Sequence, residues 1–474
     1  MSSESVLPGG SGLRGTLAII RQSLAGDSDF DYTQGSISRA TLLLAIPMIL
    51  EMALESVFAV VDIFFVARLG TTAVATVGLT ETMISILYAL AIGVGMGTTA
   101  LVSRRIGEGD PDAAGIAAGQ ALWVGLGISA LVAGIGLSYT SELLRFMGAD
   151  EFVLREGVGY TRIMFAGNFT IVFLFVMNAI FRGAGDAMLA MKALWLANAI
   201  NIVLDPLLIF GVGPFPELGV EGAAYATNIG RGVGVAYAAS ILIGRRGRIQ
   251  IALQQLRIRA SVIATLLRVS AGGVAQYLIA TASYVFLVQI IAGFGSAQLA
   301  GYVIAIRVVM FTILPAWGLS NAAATLAGQN LGAGKPDRAE EAVWSIAYYC
   351  AGYMTLVGIV CWVWAEAIIG FFTAEPDAIA SGMLSLRILS LGYIPFGFGL
   401  AVIQAFNGAG DTLTPTLINV LAFWVVQVPL AYTLALFAGW DSEGVYWAIF
   451  ASDMLTGIVG CWAFSRGSWK LREV

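Results

Sequence analysis

Three carboxylates lie within the first long apolar stretch of this 474-residue chain, at Glu51, Glu55 and Asp62. At about 100° per residue of α-helix, Glu55 lies about 40° and Asp62 about 20° from the direction of Glu51 around the helix axis. A carboxylate inside a membrane helix costs about 2.5–3.5 kcal/mol on insertion scales, so a face that carries three should line a cavity. Pro47, one turn earlier, removes a backbone hydrogen bond and is a candidate hinge.

A second polar stripe lies in the fifth apolar segment, where Asn198, Asn201 and Asp205 share one helix face, and the sixth segment adds Thr227. At about 1.5 Å per residue, Asp62, Asp205 and Thr227 all lie about 9–12 Å from the same membrane boundary. Two carboxylates, an amide oxygen and a hydroxyl at one depth form a hard oxygen site. The sequence therefore predicts a cation-coupling site that binds Na⁺ or a shared proton.

Other polar and adaptable residues of the first half are candidates for substrate binding. Glu51, Glu55, Asn178 and Asn198 are possible additional coupling or substrate residues. Methionine and aromatic side chains can form an adaptable apolar pocket, although such a stripe is often core packing. The candidates for this pocket are Met48, Met52, Phe58, Met83 and Met164.

Composition places the chain in a membrane. It is 58% hydrophobic and 12% charged, whereas soluble domains contain roughly 25% charged residues. The sequence has no histidine, and its three cysteines lack zinc-type spacing. Histidine-based metal sites and Ser–His catalysis are therefore excluded, and we expect no enzyme activity, no cofactor and no nucleic-acid partner. The expected partners are lipids and small amphipathic molecules.

Twelve runs of spanning length divide the chain into two sets of six. We predict an N-terminal tail at 1–38 with a solvated acidic stretch at Asp27, Asp29 and Asp31, an N-lobe at 39–243, a basic linker at 244–260, a C-lobe at 261–466 and a tail at 467–474. Lys and Arg favour one set of loops by ten to three. The positive-inside rule then places both termini in the cytoplasm of a multi-pass cell-membrane protein.

The two halves are related by an internal repeat. The motif GAGD at 183–186 recurs at 408–411, and 408 minus 183 is 225; the GxGxPD turn at 107–112 recurs at 332–337 with the same offset. Because each half contains an even number of helices, the repeats are parallel. The same offset places Leu287, Val426 and Leu430 at the positions of Asp62, Asn201 and Asp205. The polar site is thus predicted for the N-lobe alone.

Several stretches resemble the multidrug and toxic compound extrusion (MATE) family. They are Pro47 with VVDIFFVARLG at 60–70, NAIFRGAGD at 178–186, NIVLDPLLIFG at 201–211 and GAAYAT at 222–227. The resemblance implies an all-α, V-shaped fold of twelve transmembrane helices in two lobes. It also implies export of amphipathic, often cationic drugs in exchange for Na⁺ or H⁺ by alternating access.

One branch of that family, the DinF-like one, has its cation site in the N-lobe. Its residues match Asp62, Asn201, Asp205 and Thr227 here. The NorM-like branch relies on acids in helices seven and ten, but this chain has Gln276 in helix seven and no acid in the body of helix ten. Glu51 and Glu55 are additional acids that the family pattern does not explain.

Three other functions remain as alternatives. A lipid-linked oligosaccharide flippase of the same superfamily would favour a basic groove, whereas the charge inside these helices is mostly acidic. A major facilitator has the same six-plus-six repeat, but the loop RRIGEGD at 104–110 does not fit its usual first hairpin. A membrane enzyme lacks support because neither a metal cluster nor a nucleotide loop is present. We expect a monomer, since lobes with an internal cavity need no partner.

Overall fold

A computed structural model describes residues 13–26, 30–244 and 247–472, and every regular element within these ranges is a helix. We number the membrane helices α1 to α12. The N-lobe contains α1 Ile37–Ala67, α2 Thr71–Gly107, α3 Pro111–Ser138, α4 Glu151–Ala184, α5 Ala187–Phe210 and α6 Val220–Ile243. The C-lobe contains α7 Ala260–Ala292, α8 Ser296–Gly332, α9 Pro336–Val363, α10 Pro376–Leu391 with Tyr393–Gly408, α11 Leu413–Phe437 and α12 Asp441–Ser465.

The helices have the length and composition of membrane spans. In the described chain nine are long and apolar enough to cross a membrane, and the bent pair that forms α10 makes a tenth. The other two, α1 and α6, contain 31 and 24 residues, more than the roughly 20 that a bilayer requires. The predicted fold of twelve helices in two six-helix lobes is confirmed. The residue bounds given above for tails, lobes and linker stay predictions.

The two lobes meet through a pair of symmetric helix crossings. A Cβ atom on Gly107, the last residue of α2, would lie 2.0 Å from the carbonyl oxygen of Gln329 in α8. A Cβ atom on Gly332, the last residue of α8, would lie 2.2 Å from the carbonyl oxygen of Arg104 in α2. Each of these pairs is related to the other by the 225-residue offset. We call this end of the bundle, where the described chain begins and ends, the terminus side.

Contact between the lobes continues from the terminus side toward the middle of the bundle. There α2 packs on α7, where a Cβ atom on Gly93 would lie 2.4 Å from a methyl group of Val274. Similarly, α1 packs on α8, where a Cβ atom on Gly318 would lie 2.4 Å from the carbonyl oxygen of Met48. Glycine allows the backbones to approach this closely, as is common between membrane helices.

The N-terminal segment differs from the solvated leader that its composition suggested. Residues Leu13–Ala25 form a helix, and Tyr32 is buried with its hydroxyl donating to the carbonyl of Gly185 at 3.1 Å. Lys335 and Arg338 of the C-lobe donate to backbone carbonyls of residues 32–35. The described part of this segment is therefore packed through Tyr32 and the backbone carbonyls of residues 32–35, whereas the side chain of Asp31, the one described residue of the predicted acidic stretch, is exposed. Asp27 and Asp29 lie outside the described residues.

Candidate functional site

The predicted coupling residues of α5 and α6 lie together. The Asn201 amide donates to the hydroxyl oxygen of Thr227 at 3.1 Å, which links the two helices. Asp205 follows Asn201 by one helical turn, on the same face of α5, and its side chain is 0% exposed. Among the described residues, neither carboxylate oxygen of Asp205 nor the amide oxygen of Asn201 receives a hydrogen bond.

Unpaired buried acceptors are expensive, which makes this cluster chemically unusual. A buried acceptor without a donor costs about 1–3 kcal/mol, and a buried carboxylate costs more. Asp205 and Asn201 together present three such oxygens beside the hydroxyl of Thr227. A bound Na⁺ would be coordinated by oxygens of this type, and a proton would neutralise the carboxylate. The residues present therefore fit either ion.

Asp62 approaches this cluster from α1. Its side chain is half-buried, and its charge interacts electrostatically with that of Asp205. The described residues contain no group of three or more Cys, Asp or Glu side chains arranged as a metal site. A cation here would therefore lie between two carboxylates and the neutral oxygens of Asn201 and Thr227.

Sequence reasoning gave no role to two charged residues beside Asp62. Arg231 lies one turn after Thr227 in α6 and donates to the Tyr88 hydroxyl at 3.0 Å. Its charge interacts with those of Asp62 and Glu81, an acid of α2. The four-residue spacing from Thr227 to Arg231 is the signal that places both on one face of α6. Glu81 had no comparable signal, because it is the one acid in a long apolar helix.

Glu51 belongs to a separate buried ion pair. Its side chain is 1% exposed, and Oε1 accepts from Arg182 Nη1 at 2.8 Å and from Asn178 Nδ2 at 3.2 Å. The pair joins α1 to the end of α4. Arg182 is one of the ten basic residues that the sequence analysis assigned to the cytoplasmic loops, but it lies in the last turn of α4 and pairs with Glu51.

Glu55 and Asn198 form a third polar contact within the N-lobe. The Asn198 amide donates to Glu55 Oε2 at 3.0 Å. One turn of helix away, the Trp195 indole donates to the backbone carbonyl of Leu50 at 3.2 Å. Asn198 thus joins α5 to α1, although the sequence had grouped it with Asn201 on one stripe.

A central cavity of about 190 Å³ lies between the lobes, lined by α1, α2, α4, α5, α6, α8 and α10. Its charged lining residues are Glu51, Glu55, Arg182 and Arg231. Asn178 also lines it, as do the aromatic rings of Phe175 and Trp317 and the thioether of Met96.

The five residues suggested for an apolar pocket are not gathered in this cavity. Met52 lines it. Met48 is buried in the cluster between α1 and the C-lobe, and Met164 in the N-lobe core. Phe58 is buried in α1 and Met83 is half-buried in α2, and neither lines the cavity.

The C-lobe repeats this framework with neutral groups. Gln276 and Asn407 stand 225 residues after Glu51 and Arg182, and the Gln276 amide donates to Asn407 Oδ1 at 3.0 Å. An amide pair in the C-lobe therefore replaces the ion pair of the N-lobe.

Comparison with known proteins agrees with this architecture. The sequence profile of the MatE family matches residues 47–207 and 274–433, one stretch in each lobe. The chain is 26% identical over 447 residues to the probable multidrug resistance protein YoeA of Bacillus subtilis, covering 93% of this chain and 96% of that protein. It is 27% identical over 423 residues to the FAD transporter of Shewanella oneidensis, covering 89% and 93%.

A solved structure shares the whole fold. The outward-facing conformation of a multidrug resistance MATE family transporter of the MOP superfamily matches with a TM-score of 0.86 and 28% identity, covering 92% of this chain and 97% of that one. The family profile matches both lobes, the relatives align with nearly the whole chain, and the solved structure has the same fold. This chain belongs to the MatE family and is a multidrug efflux transporter of the membrane.

Proposed function

We propose that this transporter exports amphipathic, cationic compounds in exchange for H⁺ or Na⁺, which bind at Asp62, Asn201, Asp205 and Thr227. The observation that carries the proposal is the set of buried, unpaired oxygens on Asp205 and Asn201. A protein interior retains such groups at a cost, and a cation or a proton removes that cost when it binds.

The position of α1 supports a link between ion binding and movement of the lobes. Asp62 lies on α1, whereas Asn201, Asp205 and Thr227 lie on α5 and α6. In its other half, α1 packs closely on the C-lobe at Met48 and Gly318. An ion held between α1 and α5 draws α1 toward the N-lobe core. Ion binding then biases the contact between the lobes, as alternating access requires.

The charge of the N-lobe interior favours a cationic substrate. Taken together, the separate polar contacts of this lobe, which we now call its polar cluster, include five carboxyl groups and two guanidinium groups. They belong to Glu51, Glu55, Asp62, Glu81, Asp205, Arg182 and Arg231. With all seven groups charged, the cluster is net negative. The aromatic rings of Phe175 and Trp317 add surfaces that attract organic cations.

A second candidate substrate class is an anionic amphipath. Two observations favour it: a relative is named as a transporter of FAD, and Arg182 and Arg231 both line the central cavity. Because the carboxyls that line the cavity are also two, the lining itself is formally neutral. Comparing export of ethidium with export of FAD by the same vesicles separates the two classes.

The orientation that we propose in the membrane rests on the charge bias of the loops. We place both termini in the cytoplasm and treat the transporter as a monomer in the cell membrane. With that orientation the close contacts of Gly107 and Gly332 lie on the cytoplasmic side, which supports a state closed on that side.

The test is ethidium export from proteoliposomes under a Na⁺ gradient or a pH gradient, imposed separately. We expect export under one gradient, and its loss in Asp62→Asn and in Asp205→Asn. Asp377→Asn, at an exposed acid of α10, is the matched control and should transport normally. Full export by Asp205→Asn would overturn the N-lobe site. If correctly inserted protein exports neither compound under either gradient, a flippase with a lipid-linked substrate becomes the better explanation.

A further inference from the structure

Both lobes contain a broken helix at equivalent positions. In the N-lobe, α4 is interrupted at Gly167, and in the C-lobe α10 is interrupted at Gly392, 225 residues later. The two parts of α10 form an angle of 55°. A helix break interrupts the backbone hydrogen bonds of the adjoining turns, so a side chain from a neighbouring helix can stabilise it.

In the N-lobe an amide from α6 joins the two sides of the break. The Asn228 side chain donates to the carbonyl oxygen of Ile163 at 3.0 Å, in the turn before the break, and this oxygen also accepts from the backbone N–H of Gly167 at 2.9 Å. After the break, the Thr170 hydroxyl donates to Asn228 Oδ1 at 3.3 Å. A Cβ atom on Gly167 would lie 2.2 Å from Asn228 Cγ, so the amide lies directly against the break. The missing side chain of Gly167 therefore makes room for a hydrogen bond across the break.

In the C-lobe the equivalent residue is an acid, Asp453 of α12, again 225 residues later. A Cβ atom on Gly392 would lie 3.2 Å from both Cβ and Oδ2 of Asp453, so this carboxyl lies against the α10 break as Asn228 lies against the α4 break. An amide always has N–H donors, whereas a carboxyl group can donate only when it is protonated. The hydrogen bond of the N-lobe can therefore recur here only with a proton on Asp453.

The surroundings of Asp453 also favour a neutral carboxyl. It is the middle residue of the 25-residue α12, where a charge in a membrane helix costs most. The charged residues of the helices packed around α12 are Arg268, Asp377, Arg387 and Lys470. Within the described chain none of them forms an ion pair or hydrogen bond with Asp453, and Lys470 pairs instead with Asp337 and Glu340. The titratable group that faces it is the phenol of Tyr393, on the far side of the break.

We propose that Asp453 is a second proton-binding site, located in the C-lobe, and that its protonated carboxyl holds the α10 break as Asn228 holds the α4 break. The proton adds to a carboxylate oxygen from water and returns to water, and no other bond is made or broken. Loss of the proton removes the donor and places a negative charge against backbone carbonyls, so the angle of α10 changes. The proposal concerns a site separate from the N-lobe coupling residues and holds whichever ion binds there.

The first test is infrared difference spectroscopy of the transporter in lipid bilayers between low and high pH. We expect a carboxylic-acid C=O band at low pH that disappears in Asp453→Asn. The band should persist in Asp62→Asn/Asp205→Asn, so the outcome does not depend on the N-lobe site. Persistence of the full band in Asp453→Asn, or its removal by Na⁺ at constant pH, would overturn the proposal.

The second test follows the angle of α10 with spin labels at the exposed positions Leu384 and Ile394, one on each part of the helix, in a background without native cysteines. The distance should change with pH in the otherwise unmodified protein and become independent of pH in Asp453→Asn. The matched variant is Asn228→Asp. The distance between labels on the two parts of α4 should depend on pH in this variant. A pH-dependent distance in Asp453→Asn, or an unresponsive α4 in Asn228→Asp, would contradict the proposed role.

Discussion

At the scale of single residues, the two lobes use the same positions with different chemistry. Glu51 and Arg182 form a buried ion pair, and Gln276 and Asn407 form an amide hydrogen bond at the equivalent positions. A neutral pair holds its two helices together without the desolvation cost of two charges. Removing one partner should therefore cost more free energy of unfolding in the charged pair than in the amide pair. The C-lobe residues also show which neutral pair could replace the charged one.

The ion pair predicts a strong asymmetry between single and double substitutions. Arg182→Asn leaves Glu51 as a buried carboxylate without its cation, and removal of one partner of a buried pair costs about 3–5 kcal/mol. Glu51→Gln/Arg182→Asn recreates the amide pair of the C-lobe and should recover most of that loss. Unfolding measurements in detergent provide the comparison. A double variant as unstable as Arg182→Asn would show that the framework of the two lobes is not interchangeable.

Spacing along a helix shows which part of the site could be predicted. Asn201 and Asp205 stand one turn apart, so the sequence alone put them on one face with a role in ion binding. The spacing from Thr227 likewise places Arg231 on the site face of α6, whereas Glu81 is the one acid of α2, and a lone acid gives no spacing that tells whether it faces lipid, a cavity or another helix. The pairing of Glu51 with Arg182 spans 131 residues, and local periodicity contains no information on that distance.

At the scale of elements, a proline in α1 is matched by a serine from another helix. Pro47 has no N–H group, so the carbonyl oxygen of Leu43, one turn earlier, loses its helical donor. Ser23 of the N-terminal helix donates to that carbonyl at 3.0 Å and is buried. The helix α1 remains continuous through Pro47. The N-terminal helix therefore stabilises α1 at its candidate hinge.

This contact predicts a double-mutant cycle. Ser23→Ala should destabilise the protein by about 1–3 kcal/mol, because it leaves the Leu43 carbonyl buried without a donor. In Pro47→Ala the backbone N–H returns and satisfies that carbonyl, so adding Ser23→Ala should then cost little. Thermal unfolding of the four proteins gives the coupling between the two positions. Equal costs of Ser23→Ala in both backgrounds would show that the serine does not compensate for the proline.

In α11 a π-helical stretch interrupts the constant 225-residue offset between the two lobes. Gln427 of α11 donates to Ser452 at 2.9 Å, as Asn201 donates to Thr227 in the N-lobe. The constant offset instead assigns Val426 to the position of Asn201. Residues Val420–Gln427 are π-helical, and the wider turn changes the register by one residue. The sequence predicted the scaffold of the repeat, but not this local shift.

At the scale of the whole molecule, the symmetric crossing of α2 and α8 closes the terminus side of the bundle. Both crossings depend on a glycine at the end of one helix that meets a backbone carbonyl of the other, Gly107 with Gln329 and Gly332 with Arg104. The sequence had placed these glycines in turns of the GxGxPD motif. Their position at the contact between the lobes could not be predicted, because a turn motif does not show which element packs on it.

These crossings predict the conformation of the whole transporter. In Gly107→Val the added atoms would overlap the Gln329 carbonyl, since the Cβ atom alone would lie 2.0 Å from that oxygen. The closed state at the terminus side is then destabilised, and the population should shift toward a state open on that side. Gly332→Val should have the same effect through the symmetric contact with Arg104.

Labelling from each side of the membrane measures this shift. A cysteine at Asn321, which lines the central cavity, would react with an impermeant maleimide from the side opposite the termini in the parent protein. In Gly107→Val the reaction should become several-fold faster from the terminus side. Gly127→Val is the matched control, because no atom lies within 4 Å of the position of its Cβ atom. Unchanged labelling in both Gly107→Val and Gly332→Val would mean that other contacts hold the lobes together. The glycine crossings would then not determine which side of the transporter is closed.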